Sequence, residues 1–460
     1  MTLDALNSLS PLRQEAVEAI SRRGKLFLVG GGVRDALIFG GQTEGDFDFV
    51  VEGLTLKELR VILSPFGRGE IVGQFFPVLK FRPREKQGIF YDFAAPSKRN
   101  IKGEFIPVET IGEDLFHRDI TINAIAYNLS TRTLLDPTGG VKDIKRKLIR
   151  ATSPESFSDD PVRTMRALRF EAQLNFSIEE RTEELIRESA RLIKLVSAER
   201  IRDELERILT RVQKPSQVFD RMHETGILEQ ILPELERCYG VTQPGCFHEY
   251  DVFYHSIKTV DFAPRTVVVR LAAPLHDIGK PKARRLGEDG RARFYGHDVL
   301  SERMTRSILK RLRFSNKTIE DVSVLVRNHM FNYRFSDRGL RRFIRRVGYE
   351  RIDRLFALRK ADILSRGRAY PKMDEELVEF SNFKQRAKDI IESVPEFSIR
   401  ELAINGDDIM NRFRIPEGPD VGKVLRHLFS LVIDGKIPNK EDVLLSAAEE
   451  YISKMKKERV

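Results

Sequence analysis

Asp46 and Asp48 stand one residue apart in Asp46-Phe47-Asp48, and Asp92 lies in a second apolar run, Ile89-Phe90-Tyr91-Asp92-Phe93. On an extended strand the side chains at i and i+2 leave the same face, so Asp46 and Asp48 present two carboxylates side by side. Like charges held that close are unfavourable unless a cation neutralises them. Mg2+, a hard ion that accepts a few carboxylates together with phosphate oxygens, suits such a pair. Two such ions lower the barrier to attack by a 3′ hydroxyl and stabilise a departing pyrophosphate. Asp92 is a natural third carboxylate. Two solvated turn carboxylates would share the Asp-x-Asp spelling, but Phe47, Phe49, Val50 and Val51 argue for a strand in the core. Upstream, Gly30-Gly31-Gly32-Val33-Arg34-Asp35 follows an apolar stretch and opens a helical pattern. Glycine lets a ligand approach the backbone and a helix N-terminus offers unpaired N–H groups, so together they can hold a triphosphate. The stretch is not a P-loop, because the GxxxxGK[ST] spacing is absent.

A second group with chemical potential is His255, His276-Asp277, His297, His329 and Asp362, with Ile278-Gly279-Lys280-Pro281 after the doublet. Imidazole and carboxylate suit a divalent transition metal or Mg2+. Lone histidines are usually structural, whereas this pattern takes four of the chain's eight. Asp353 is close enough in sequence to compete with Asp362 for the last position.

These residues need elements to carry them. Residues 11–22 read as an amphipathic helix, 25–29 as a buried strand running into the glycines, 33–39 as a helix and 47–51 as a strand. Further strands are expected at 78–81, 89–93 and 133–135, within a mixed α/β domain that closes near Lys145. From Pro161 the segments are long, charged and helical in period, as in 161–174, 178–195 and 198–211, with breaks near Pro215, Pro371 and Pro395. The chain has 460 residues, and 79 Lys and Arg outnumber 69 Asp and Glu to leave a net charge of +10. Such a surplus favours polyanionic partners, nucleic acid foremost, with a plain solvated basic surface as the alternative. Cys238 and Cys246 form no CxxC or zinc-ligand spacing, which fits a reducing, cytoplasmic setting. The first 24 residues lack a signal-peptide core, and no apolar run approaches the ~20 residues that span a bilayer, so no membrane partner is expected.

The order GGxVRD followed by DxD resembles the class II tRNA nucleotidyltransferases (CCA-adding enzymes) and the related bacterial poly(A) polymerases, of the polymerase-β-like superfamily. Further motifs follow in that family's order. Arg118-Asp119-Ile120-Thr121-Ile122-Asn123-Ala124 resembles RRDxTxNA, with His117 in place of the first Arg. Asp136-Pro137-Thr138-Gly139-Gly140 resembles the hinge between head and neck, Asp159-Asp160-Pro161-Val162-Arg163 resembles EDxxR, and residues 198–204 resemble the helix that supports it. The likeness covers residues 24–210. It implies an α+β fold: a polymerase-β-like nucleotidyltransferase head with a mixed sheet at 1–146, then an all-helical neck at 147–235, an HD-type body at 236–370 and a helical tail at 371–460. It also implies a site. Asp46 and Asp48 would bind Mg2+, Asp92 would orient or deprotonate the attacking hydroxyl, and Gly30, Gly31, Arg34, Arg118, Asp119, Asn123, Asp160, Arg163 and Arg166 would bind the nucleotide.

The family assigns base reading to Asp160 and Arg163, and their chemistry allows it. Three apart on a helix, they would share a face. Arg only donates and Asp only accepts. Cytosine and adenine both offer an amino donor beside an acceptor ring nitrogen, while uracil and guanine reverse both contacts. Mispairing strands buried polar groups at about 1–3 kcal/mol each. The His/Asp series resembles the HD superfamily of metal-dependent phosphohydrolases over residues 245–365, which implies a second divalent metal; a degenerate domain serving as an RNA-binding scaffold is the alternative. In the tail, Lys423 and Arg426 on a capped helix fit contact with the tRNA backbone, and a plain structural cap fits equally. The expected activity is template-independent addition of CCA to the tRNA 3′ end from CTP and ATP, with release of pyrophosphate. Residues 94–105 look shortened relative to the family's mobile loop, which keeps CC-only addition open, as are poly(A) synthesis and a phosphohydrolase or RNA-binding protein with an inert head.

Overall fold

Hydrophobic and aromatic residues alternate through the first third of the chain, and they zip into one twisted sheet. The computed structural model describes residues 12–40, 47–73, 77–84, 90–99, 105–243, 249–367, 370–393, 401–433 and 436–457. Asp46, Cys246, Pro395 and residues 100–104 of the expected loop lie outside the described residues. The strands are β1 (Lys25–Val29), β2 (Phe47–Glu52), β3 (Gly67–Val72), β4 (Val78–Pro83), β5 (Tyr91–Ala94), β6 (Ser97–Arg99), β7 (Phe105–Pro107), β8 (Ala126–Asn128) and β9 (Thr133–Leu135). Seven of them form the head sheet in the order β3-β4-β5-β2-β1-β8-β9, and β6 pairs with β7 in a separate hairpin. Every neighbour pair in the head sheet is antiparallel except β2 and β5, which run parallel. Phe49 stacks on Phe93 with ring centroids 4.9 Å apart and meets Tyr91 edge-on, so the parallel pair is clamped by aromatic packing on one face. On the other face Val50 joins Phe27, Val29, Ile111, Leu115, Ala124 and Ala126 in a buried cluster.

The structure departs from the sequence reading at three places. β3 escapes pattern recognition because it starts Gly67-Arg68-Gly69, and glycine weakens strand signals. A Cβ on Gly67 would lie 2.3 Å from the carbonyl oxygen of Arg82, so the close approach of β4 demands glycine there. Residues 178–195 are not one helix. Ser177–Ile178 pairs in parallel with Leu148–Ile149, helix Glu180–Ser189 follows, and Ala190–Leu195 winds more tightly as a 3-10 segment. Asp160 lies outside any helix, at φ −146° and ψ 88°, because Pro161 drives the residue before it out of the α region. Helix Val162–Leu174 begins just beyond.

Contacts divide the chain into two compact units, Met1–Arg237 with Ile308–Phe314, and Cys238–Ser307 with Ser315–Val460. The first holds the sheet and helices Val162–Leu174, Glu180–Ser189, Ala198–Arg211 and Pro215–Glu224. Among the described residues, the second is helical apart from the two-residue strands Arg285–Leu286 and Ala292–Arg293. Within it, helices Gly406–Phe413, Pro419–Ile433 and Glu441–Lys457 bury a cluster that includes Ile409, Val424, Leu428 and Leu444. Asn405 caps the first of these helices in a reciprocal capping box with Asp408. Among the described residues, no helix is long and apolar enough to cross a membrane.

Candidate active site and candidate metal centre

In the parallel β2–β5 pair Asp48 is the register partner of Asp92, so two carboxylates sit on adjacent strands at one level of the sheet. β1 ends beside them, with Val29 opposite Asp48, and hands the chain to Gly30 at φ +70°. That left-handed turn suits glycine. A Cβ on Gly30 would stand 3.4 Å from Arg118 Nη1 and 3.9 Å from Asp48 Oδ2, which sets the glycine backbone, the guanidinium and the carboxylate around one point. Helix Gly31–Phe39 starts here, and among the described residues no side chain caps its N-terminus, where the first N–H groups suit an anion. Arg118 is oriented by Asp114, whose Oδ1 accepts from Arg118 Nε at 2.9 Å. The other carboxylate oxygen of Asp114 accepts from the Ser97 backbone N–H at 2.9 Å, tying the β6–β7 hairpin to Arg118. Oδ1 of Asp92 is buried and has no hydrogen-bond partner among the described residues, and Lys80 Nζ is 3.8 Å from Oδ2. A buried carboxylate oxygen lacking a donor beside a second carboxylate is a good fit to a divalent cation.

One cavity of about 1090 Å³ takes in Gly30, Gly31, Arg34, Asp48, Asp92, Arg118, Asp119, Asn123, Asp160, Arg163 and Arg166. Several of these residues build its wall. Arg34 is buried, donates to Asn123 Oδ1 at 2.7 Å, and pairs with Asp35. Asn123 Nδ2 donates to Asp119 at 3.2 Å, and Arg166 pairs with the same carboxylate at 2.7 Å. Burial alone would push the Asp119 carboxyl up, but Arg166 and Arg163 hold it well below the usual carboxylate range. Arg163 donates Nη2 to the His117 carbonyl at 2.8 Å and Nη1 to the Ser156 and Arg118 carbonyls, so the backbone sets its orientation. Its Nε is 3.6 Å from Asp160 Oδ2, and Arg200 reaches the same oxygen at 2.7 Å. Asp160 and Arg163 therefore meet at a helix start instead of on one helical face.

Arg200 lies on the helix expected to support the Asp159–Arg163 motif and does so through Asp160, whereas sequence reasoning missed Asp114 and Phe170. Arg34 and Arg169 flank the Phe170 ring at 4.7 and 4.1 Å from its centroid, which makes it a buried post for two cavity-wall guanidiniums. The available signal was spacing: Arg163, Arg166, Phe170 and Gln173 recur every three or four residues and line the cavity from one helix face.

The second unit gathers all six members of the His/Asp series. His255 comes from helix Val252–Phe262, His276 from the end of Val267–Leu275, His297 from the start of His297–Arg311, His329 from the end of Asn316–Asn328, and Asp362 from Tyr349–Leu364. All are buried, whereas Asp353 is exposed. Asp277 is central, with His276 Nε2 and His297 Nε2 at 3.2 Å, His329 Nε2 at 3.6 Å and Lys280 Nζ at 2.6 Å. Asp362 Oδ1 faces His255 Nε2 at 3.2 Å. His276, His297 and His329 each place Nδ1 2.7 Å from the carbonyl three residues earlier, which fixes the tautomer and turns Nε2 inward. Burial drives His329 down to about 4, so it is the neutral imidazole that ligates metals. Asp277 outweighs burial to hold His276 above its ordinary value, so the cluster attracts positive charge. His276 Nε2 and Asp277 Oδ1 are buried without a hydrogen bond among the described residues, and the donor atoms of His276, Asp277 and His329 lie within 4.8 Å of one another. That donor set fits a divalent metal of the transition series. A cavity of about 620 Å³ opens on it, lined also by Lys280 and Arg366.

Comparison with known proteins places the chain in a lineage. Residues 26–150 match the poly(A) polymerase head domain, 175–239 the "Probable RNA and SrmB-binding site of polymerase A", and 297–448 tRNA nucleotidyltransferase domain 2. The A-adding tRNA nucleotidyltransferase of Deinococcus radiodurans is 32% identical over 415 residues, covering 87% of this chain and 90% of that protein. The multifunctional CCA protein of Xanthomonas campestris is 40% identical over 273 residues, 56% of this chain and 63% of its own length. The fold of the Bacillus stearothermophilus CCA-adding enzyme in complex with CTP superposes over 97% of this chain and 98% of that one, with a TM-score of 0.68 at 23% identity. Motif order, head sheet and near full-length similarity together make this chain a nucleotidyltransferase that belongs to the tRNA nucleotidyltransferase family.

Proposed function

We propose that the chain adds CCA to the 3′ end of tRNA from CTP and ATP without a nucleic-acid template, releasing pyrophosphate. The observation that carries this reading is the parallel register of Asp48 and Asp92 at a cavity shared with Gly30, Arg118, Asp160 and Arg163. Asp46 and Asp48 would hold Mg2+, which supplies charge neutralisation at the attacking and leaving oxygens. The Gly30 and Gly31 backbone and Arg118 hold the triphosphate. Asp92 orients the attacking 3′ hydroxyl and accepts its proton. Arg163 donates to the ring nitrogen of C or A, and Asp160 accepts from the amino group. A donor fixed by three carbonyls does not turn to suit uracil or guanine.

A narrower product, the terminal A alone, is favoured by the likeness to an A-adding enzyme over 87% of the chain. One assay separates the readings. Transcripts of a tRNA ending at the discriminator base, after C and after CC are incubated with each nucleotide, and the 3′ ends are sequenced. CCA addition predicts CC from CTP alone, CCA from CTP with ATP, and nothing from UTP or GTP. Incorporation of A only, and only on the CC transcript, selects the narrower product. Products that stop at CC at high ATP select CC addition, and no incorporation on any transcript overturns the class of activity.

In the second unit, His255, His276, Asp277, His297, His329 and Asp362 would hold a divalent transition metal. When bound, such a metal would supply a hydroxide nucleophile at neutral pH, and Lys280 and Arg366 would orient a phosphoester in the adjoining cavity.

A further inference from the structure

Between Arg334 and Arg346 the chain carries six arginines and one acid, Asp337, against a surplus of ten positive charges in all 460 residues. Helix Asp337–Val347 sorts this segment into two faces. Leu340, Phe343, Ile344 and Val347 are buried. Arg338, Arg341, Arg342, Arg345 and Arg346 follow the i, i+3, i+4 spacing of the opposite face, so they form one stripe along the helix. Elsewhere the fold pairs such residues within or beside the helix, as Arg181 does with Glu184 and Arg187 with Glu183. The stripe itself contains no acid, and Arg338 and Arg342 have partners of their own. Asp337, at its N-terminal end, is already engaged by Arg386 at 3.2 Å, and Arg341, Arg345 and Arg346 make no ion pair with the described residues. A run of like charges three and four apart opposes the helix that carries it. The arrangement makes sense against an external polyanion.

We infer that the arginine face of helix Asp337–Val347 is a binding surface for the phosphate backbone of RNA. Guanidinium groups engage phosphate bidentately, and side chains about 5–6 Å apart along the helix can follow successive phosphates of one strand. A membrane surface fits less well, because an interfacial helix turns its apolar face to lipid, and here that face is buried in the fold. The inference rests on reading the chain as a tRNA enzyme and names a contact outside the catalytic cavity.

The test uses the full-length protein and a tRNA transcript lacking its 3′-terminal CCA, with binding measured across a range of salt. Arg341→Gln/Arg345→Gln/Arg346→Gln should raise the Kd at 100 mM salt by at least ~10-fold and reduce the slope of log Kd against log salt by about 2 to 3, one unit per lost phosphate contact. The melting temperature should not fall, and the Arg→Lys triple at the same positions should keep most of the slope. An unchanged Kd and slope in the Gln triple overturns the inference. So does a Lys triple that binds as weakly as the Gln triple and also melts earlier, because that marks a packing role. Wild-type binding to phosphatidylglycerol vesicles that depends on these arginines, with tRNA affinity unaffected, also overturns it. A wild-type protein that adds no nucleotide but still binds RNA through these arginines would sink the proposed function and leave the surface standing.

Discussion

At the scale of residues, the head depends on a charge arrangement that folding does not need. Asp48 is exposed and Asp92 keeps a buried oxygen without a hydrogen bond, so the two carboxylates bring repulsion and desolvation to the apo protein. Asp48→Asn and Asp92→Asn should each lower single-turnover nucleotide addition by about 10²–10³-fold or more, while thermal melts stay at or slightly above the wild-type midpoint. Near-normal turnover in either variant would remove that residue from the active site. Asp119 and Asn123 are placed differently. Their partners are Arg166 and Arg34, so within the cavity they hold donors in position.

At the scale of elements, the hinge motif shows how a short sequence builds a rigid corner. Asp136 accepts from the backbone N–H groups of Gly140 and Val141 at 2.7 and 2.9 Å and so caps helix Gly140–Arg146, while Gly139 turns the chain at φ +80°. A Cβ on Gly140 would lie 2.1 Å from the Thr121 carbonyl oxygen. That carbonyl belongs to the same short segment as Asp119 and Asn123, and Thr121 itself donates to Asp143 on the capped helix. Gly140→Ala must push backbone against backbone, so it should destabilise the protein by about 1–3 kcal/mol and lower the melting temperature by several degrees. Gly112→Ala is the matched control. Its Cβ would meet nothing closer than Thr110 Oγ1 at 3.8 Å inside helix Ile111–Phe116, so it should be neutral or stabilising by up to ~1 kcal/mol. Equal melting temperatures for the two variants would show that the hinge yields easily.

At the scale of the whole molecule, each compact unit contains its own candidate site, and no residue serves both. His276→Ala with Asp277→Ala should therefore leave nucleotide addition within about twofold of wild type, since sites with no shared residue or partner contribute independently. The same variant should lose any bound transition metal, read by elemental analysis, and any phosphatase or phosphodiesterase activity. Loss of nucleotide addition in a folded double variant would show that the two sites are coupled.

Local chemistry was legible in the chain because its geometry is local. The glycine run, the His276-Asp277 doublet and the caps all act within a few residues, where backbone periodicity determines which groups share a face. Identity and order of motifs were enough to name the family resemblance that the near full-length relatives bear out. Other features depended on packing between segments far apart in sequence. The parallel register that sets Asp48 beside Asp92 is decided by Phe49, Tyr91 and Phe93 stacking across two strands. The choice of Asp362 over Asp353 is decided by which side of helix Tyr349–Leu364 is buried against its neighbours. Asp160 left its expected helix because of Pro161, a local rule, yet its pairing with Arg200 needed two helices to meet. Strand register and helix convergence minimise exposed apolar surface over the whole fold, so they exist only once tertiary structure has formed.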